Sequence, residues 1–179
     1  MRSALRLTIP LTLVLVSCVC VSLRSQPSLD PDTGYIPRPN SRPILIVNGN
    51  IGVTSDGKTA YLSYEQLKSF PQHSTQIQKP WFDDIRVQSG PLLREVLEFL
   101  QAEGEIIVGV AFNDYSTTLP ISDTYEIPVI LAIDLGNQPM AVRDMGPVFV
   151  TYPLISDPQL RKELYYSRSI WQVKQLTIE

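Results

Sequence analysis

The chain has 179 residues, of which 44% are hydrophobic and 18% charged, with 15 Lys and Arg against 18 Asp and Glu. That is too apolar for a disordered tail and too evenly charged for a nucleic-acid platform. At about 150 residues per domain the length suits one modest globular unit, able to bury roughly two thirds of its unfolded surface without disulfide staples. Fifteen prolines, eight tyrosines and only short apolar runs predict many short strands rather than a helical bundle, because proline interrupts helices and is accommodated at strand edges and turns.

The first two dozen residues read as a secretory leader. Arg2 and Arg6 give a basic start, and Leu7 to Val21 is an apolar run broken only by Thr8, Pro10, Thr12 and Ser17. The run is shorter than the roughly 20 residues of a spanning helix, and Arg24, Ser25, Gln26 and Pro27 follow it at once. A cut near Ser22 makes 1–22 the signal. As an alternative, Leu15-Val16-Ser17-Cys18 resembles the lipobox of bacterial lipoproteins, in which Cys18 would carry lipid. Cys18 and Cys20 are the only cysteines in the sequence, so the body offers no disulfide, no thiolate nucleophile and no cysteine ligand for a metal. Without Arg2 and Arg6 the balance is 13 basic against 18 acidic, a net charge of −5, which disfavours polyanions further.

Residues 23–43 hold Pro27, Pro31, Pro37, Pro39, Pro43 and Gly34 among scattered polar residues, a composition that predicts an extended arm. The domain proper, 44–179, opens with a strand at Ile44-Leu45-Ile46-Val47 that ends in Asn48-Gly49. After the Ser55-Asp56-Gly57-Lys58 turn, Ser63 and Gln66 make a capping box for a short helix from Tyr64 to Phe70, stopped by Pro71. A strand around His73 is predicted next. Leu92, Leu93, Val96, Leu97 and Leu100 form the apolar face of the one strong amphipathic helix, with Pro91 at its first turn and Gly104 beyond its end. Strands are predicted at Glu105 to Phe112, Tyr115 to Pro120, Ile127 to Leu135, Val148 to Tyr152 and Ser169 to Ile178, with a short helix near Pro158 to Leu164. The whole is an α+β domain, mostly β in mixed sheets with a few short helices.

Catalytic motifs are scarce. His73 is the sole histidine and has no second His or Cys to complete a metal set. No G-x-S-x-G elbow, glycine-rich phosphate loop or distinctive carboxylate pair occurs. Three clusters do place aromatics beside hydrogen-bonding groups at strand ends. They are Pro80-Trp81-Phe82-Asp83-Asp84, then Phe112-Asn113-Asp114-Tyr115, and the pair formed by Arg143-Asp144-Met145-Gly146-Pro147 with Tyr165-Tyr166-Ser167-Arg168-Ser169-Ile170-Trp171-Gln172. A flat heteroaromatic ligand suits that mixture, stacking on a ring while an amide, carboxylate or arginine meets its polar edge. Taken singly, each cluster also suits turns, loop-locking ion pairs and sheet-end caps.

The order of these segments from Ile44 to Ile178 resembles the molybdopterin-binding domain of the sulfite oxidase family, especially its small stand-alone bacterial members. The matching pieces are Pro80-Trp81 through Gly90-Pro91-Leu92-Leu93-Arg94-Glu95-Val96-Leu97, Asn113-Asp114-Tyr115 with Leu119-Pro120-Ile121-Ser122, and Pro128-Val129-Ile130-Leu131-Ala132. Asn137-Gln138-Pro139-Met140, Arg143-Asp144-Met145-Gly146-Pro147, Val150-Thr151-Tyr152-Pro153 and Ser167-Arg168-Ser169-Ile170-Trp171-Gln172-Val173-Lys174 continue the series. The enzymes of that family carry a molybdenum-ligating cysteine on the segment matching His73 to Lys79, where this chain has none. They also carry a lysine two residues after the closing serine, where this chain has Trp171 after Ser169.

Both departures resemble the PruR-type periplasmic pterin-binding proteins. That resemblance implies a non-catalytic sensor, exported to the periplasm and peripheral to the membrane or lipid-anchored. It would hold a reduced, unphosphorylated pterin without molybdenum and relay occupancy to the periplasmic domain of an inner-membrane, cyclic di-GMP-metabolising enzyme. The ligand-binding residues it implies are Trp81, Asn113, Asp114, Tyr115, Arg143, Asp144, Ser167, Arg168, Ser169 and Trp171. Arg143 and Arg168 would act as forks, Asp114 or Asp144 as acceptor for the ring amino group, and Trp81 or Trp171 as the stack. Two alternatives stand beside it: a molybdopterin-dependent oxidoreductase subunit without the cysteine, and an inert interaction module.

Overall fold

A computed structural model describes residues 31–78 and 80–179; the leader reading of 1–22, with Cys18 and Cys20, lies outside the described residues. Short strands dominate, as the proline and tyrosine content predicts. The main sheet contains β1 (Leu45–Gly49), β2 (Thr59–Leu62), β5 (Ile106–Ala111), β6 (Ser116–Pro120) and β11 (Val173–Ile178) in the order β2-β1-β11-β5-β6. β1 and β11 run parallel and every other neighbour is antiparallel. A four-stranded sheet joins β3 (His73–Ile77), β4 (Arg86–Gly90), β8 (Asp134–Leu135) and β9 (Gln138–Pro139), and β7 (Ile130–Ala132) pairs with β10 (Phe149–Thr151). With α1 (Tyr64–Ser69), α2 (Leu93–Phe99), α3 (Ile121–Glu126) and α4 (Glu163–Arg168), the described residues form an α+β fold with mixed sheets. Among them no helix is long and apolar enough to cross a membrane.

Local chemistry explains the helix ends. Ser63 Oγ accepts from Gln66 N at 3.2 Å and Gln66 Oε1 accepts from Ser63 N at 2.9 Å, so the capping box starts α1 at Tyr64. α2 buries Leu93, Val96 and Leu97. Its N-cap is Leu92, which puts Pro91 one residue before the N-cap rather than in the helix's first turn. Gln101, with φ of 51°, takes the left-handed position just past the end, three residues before the predicted Gly104. The apolar run Ile127 to Leu135, predicted as one strand, is divided: Ile130–Ala132 pairs with β10 and Asp134–Leu135 with β4. α3 is an element that the pattern does not announce.

Two cores result. The larger is filled by side chains of β1, β2, α1, α2, β5 and β11, among them Leu45, Leu62, Leu67, Leu97, Ile107 and Leu176. Ile36 joins them fully buried, its N–H donating to Thr54 O at 2.9 Å, so part of the proline-rich stretch is seated on the body. The smaller core gathers Ile77, Leu92, Ile130, Ala132, Met140 and Phe149. Trp81, Phe82, Leu135, Met145 and Trp171 pack around its margin.

Candidate functional site

A cleft of about 230 Å³ opens where the end of β3 faces the segment from Tyr152 to Tyr166. Gln76, Ile77, Gln78 and Trp81 line one side, and Tyr152, Leu154, Ile155, Arg161 and Tyr166 the other. Trp81 is fixed by two rings: Phe149 meets it edge-on at 5.3 Å and Tyr166 lies tilted at 36°, centroids 5.7 Å apart. The indole is thereby anchored on the smaller core while part of it remains exposed. Arg161 is held by donation to the carbonyls of Leu154 at 2.8 Å and Ile155 at 2.7 Å. Aromatic wall, two amides and an immobilised guanidinium are the groups a polar flat ring requires.

Behind the Tyr152 wall sits an ion network. Tyr152 donates its hydroxyl to Asp123 Oδ2 at 2.8 Å, and Arg168 Nη1 donates to the same oxygen at 2.7 Å. Burial, and then the hydrogen bond to Asp123, push the Tyr152 phenol well above its ordinary pKa, so it remains a neutral donor. Arg168 also lies over the Tyr165 ring at 6.0 Å. The Asp123 carboxylate therefore ties α3 to α4 and to Tyr152, just past β10, one layer behind the cleft.

Trp81 is the one member of the sequence-derived set that lines this cleft. Ser167 Oγ donates to Leu164 O and the buried Ser169 Oγ to Tyr165 O, both at 2.8 Å, so these hydroxyls serve the end of α4. Trp171 packs on the smaller core in company with Trp81 and Met145. Asn113, Asp114 and Tyr115 form the exposed β5–β6 turn. Asp114 sits at φ of 62°, Asn113 Oδ1 accepts from Tyr115 N at 3.2 Å, and Tyr115 Oη reaches Ser167 O at 3.4 Å. A hydrogen bond from Lys174 holds the Asp114 carboxyl below its ordinary pKa. Arg143 and Asp144 face each other at 3.5 Å on a separate exposed turn.

Sequence reasoning missed Gln76, Gln78, Tyr152, Arg161 and Tyr166. Tyr166 belongs to a quoted cluster, and the period of two puts Gln76, near the end of β3, and Gln78, one residue past it, on the same side of an extended run. Arg161 gives no local signal. On β3 itself, His73 Nε2 lies 3.3 Å from Glu95 Oε1. Among the described residues no three His, Cys, Asp or Glu side chains group as metal ligands. No protein-family model matches the chain, and no curated protein matches it.

Proposed function

We propose that this protein is a non-catalytic pterin-binding sensor on a sulfite oxidase-like molybdopterin-domain fold. In this reading it is exported to the periplasm, where it signals to a membrane-bound enzyme of cyclic di-GMP metabolism. The observation that carries the reading is the Trp81–Tyr166 wall with Gln76, Gln78 and Arg161, beside the segment 73–79 that by the resemblance matches the one bearing the molybdenum thiolate in the enzymes. The donor set fits the bicyclic ring: its face meets Trp81 or Tyr166, and its amino-oxo edge meets the two amides. It does not fit molybdenum ligation in the manner of those enzymes, because residues 73–79 contain no cysteine. The cleft volume of about 230 Å³ is below the ~300 Å³ lower end of ordinary small-molecule sites, which favours a small ring over a nucleotide-extended cofactor.

Binding would act by population shift, the ligand stabilising whichever arrangement of the Tyr152–Tyr166 segment closes on it. Protein purified from the periplasm should release a fluorescent pterin after acid and oxidation and contain no stoichiometric molybdenum. Tetrahydrobiopterin should quench the tryptophan fluorescence of the apoprotein, and Trp81→Ala should weaken binding at least ~10-fold, the scale of one lost aromatic contact. Bound molybdopterin with molybdenum would revive the oxidoreductase reading. No pterin, and no binding of added tetrahydrobiopterin, would leave an interaction module.

A further inference from the structure

A second concavity, a groove of about 440 Å³, is lined by Arg42, Pro43, Ile44, Phe112, Val142 and Pro147. Phe112 and Val142 are 44% and 57% exposed, unusual for large apolar side chains. Their presentation is built: Gln172 accepts from Phe112 N through its carbonyl at 3.0 Å and donates its side-chain amide to Val142 O at 2.6 Å. No acidic residue lines the groove, Arg42 is part of it, and the Arg143 side chain beside Val142 is 88% exposed. Arg42 thus lends a positive charge to an apolar groove, and Arg143 next to Val142 carries a second one that Asp144 faces at 3.5 Å.

We propose that this groove is the sensor's docking surface for a segment of a partner protein that carries apolar side chains flanked by acidic ones. The partner's existence rests on the sensor reading above. Charge complementarity selects this occupant: carboxylates answer Arg42 in the groove and compete with Asp144 for the exposed Arg143, while the apolar side chains cover Phe112 and Val142. A second copy is disfavoured because a two-fold interface would bring the same arginines to both sides. An anionic lipid surface needs apolar side chains that project, whereas these line a depression. The groove also adjoins the cleft through packed groups. Trp81, Met145 and Trp171 share the smaller core, and Gln172 N donates to Met145 O at 2.9 Å while its side chain holds Val142.

The test uses the purified full chain and two fluorescent peptides with one leucine pattern, their polar positions filled by Glu in one and Lys in the other. The Glu peptide should bind at least ~10-fold tighter, Val142→Asp should abolish that binding, and Arg42→Glu with Arg143→Glu should reverse the preference. Equal binding of both peptides, or Glu-peptide binding unaffected by Val142→Asp, overturns the proposal. So does adsorption to phosphatidylglycerol vesicles, or dimerisation in sedimentation velocity, that Val142→Asp removes. Tetrahydrobiopterin titrations on the same samples separate the two readings: peptide binding without pterin binding sinks the ligand but keeps the groove, and the converse sinks the groove alone.

Discussion

Arg168 shows how a residue type suited to ligand recognition can be consumed inside the fold. Asp123 is buried and its Oδ2 accepts from both Tyr152 and Arg168, so truncating the arginine strands a carboxylate without its cation. Arg168→Ala should cost about 3 kcal/mol in urea unfolding, and Tyr152→Phe about 1.5 kcal/mol because the ion pair survives. An Arg168→Ala chain of unchanged stability would return the guanidinium to the candidate ligand contacts. Nothing local in Ser167-Arg168-Ser169 reveals this, since the carboxylate is 45 positions away. Trp81 was legible because an aromatic beside polar groups is recognisable from its neighbours alone. Tyr64 carries a pH prediction. It donates to Asp134 Oδ1 at 2.8 Å, and burial followed by that hydrogen bond raises its pKa from 10.0 to about 12. The folded chain keeps this proton after the unfolded chain has lost it. The contribution is therefore full below pH 10 and disappears as the pH rises to about 12. Across that window the stability of the native protein should fall more steeply than that of Tyr64→Phe; parallel curves would show that the phenol is uncoupled.

Elements were legible where their signals are local. The capping box at Ser63 and the period of Leu92 to Leu100 each sit within a few residues, and both helices form there. The run Ile127 to Leu135 was not legible as two strands, because its division depends on partners: β10 captures one half and β4 the other. α3 is six residues long and includes Thr124 and Tyr125, which have no strong helical preference; it follows Pro120 at its N-cap. Close approach fixes the junction of β4 with β7. A Cβ on Gly90 would lie 1.9 Å from Leu131 O, so Gly90→Ala should force the strands apart at about 3 kcal/mol. Gly57, with φ of +86° and open space around it, should cost only about 1 kcal/mol on the same change. Paired chemical denaturation curves measure the contrast, and equal losses would mean that the β4–β7 approach is not tight.

At the scale of the whole molecule, composition gave the α+β class and the strand-rich character, but not the insertion of β11 between β1 and β5. That pairing joins segments more than a hundred residues apart, such as Ile46 with Gln175, and no local pattern encodes it. Removing residues 173–179 should leave a chain without cooperative unfolding, since Val173, Leu176 and Ile178 leave the larger core with the strand. A sigmoidal melt of the truncated chain would contradict this. The same insertion sets a timetable for synthesis. Until residues 173–178 have left the ribosome, β1 and β5 wait with unpaired edges facing one another across a missing strand. The main sheet therefore cannot close before that segment is made, and a nascent chain stays open to whatever holds or moves unfolded polypeptides until β11 arrives.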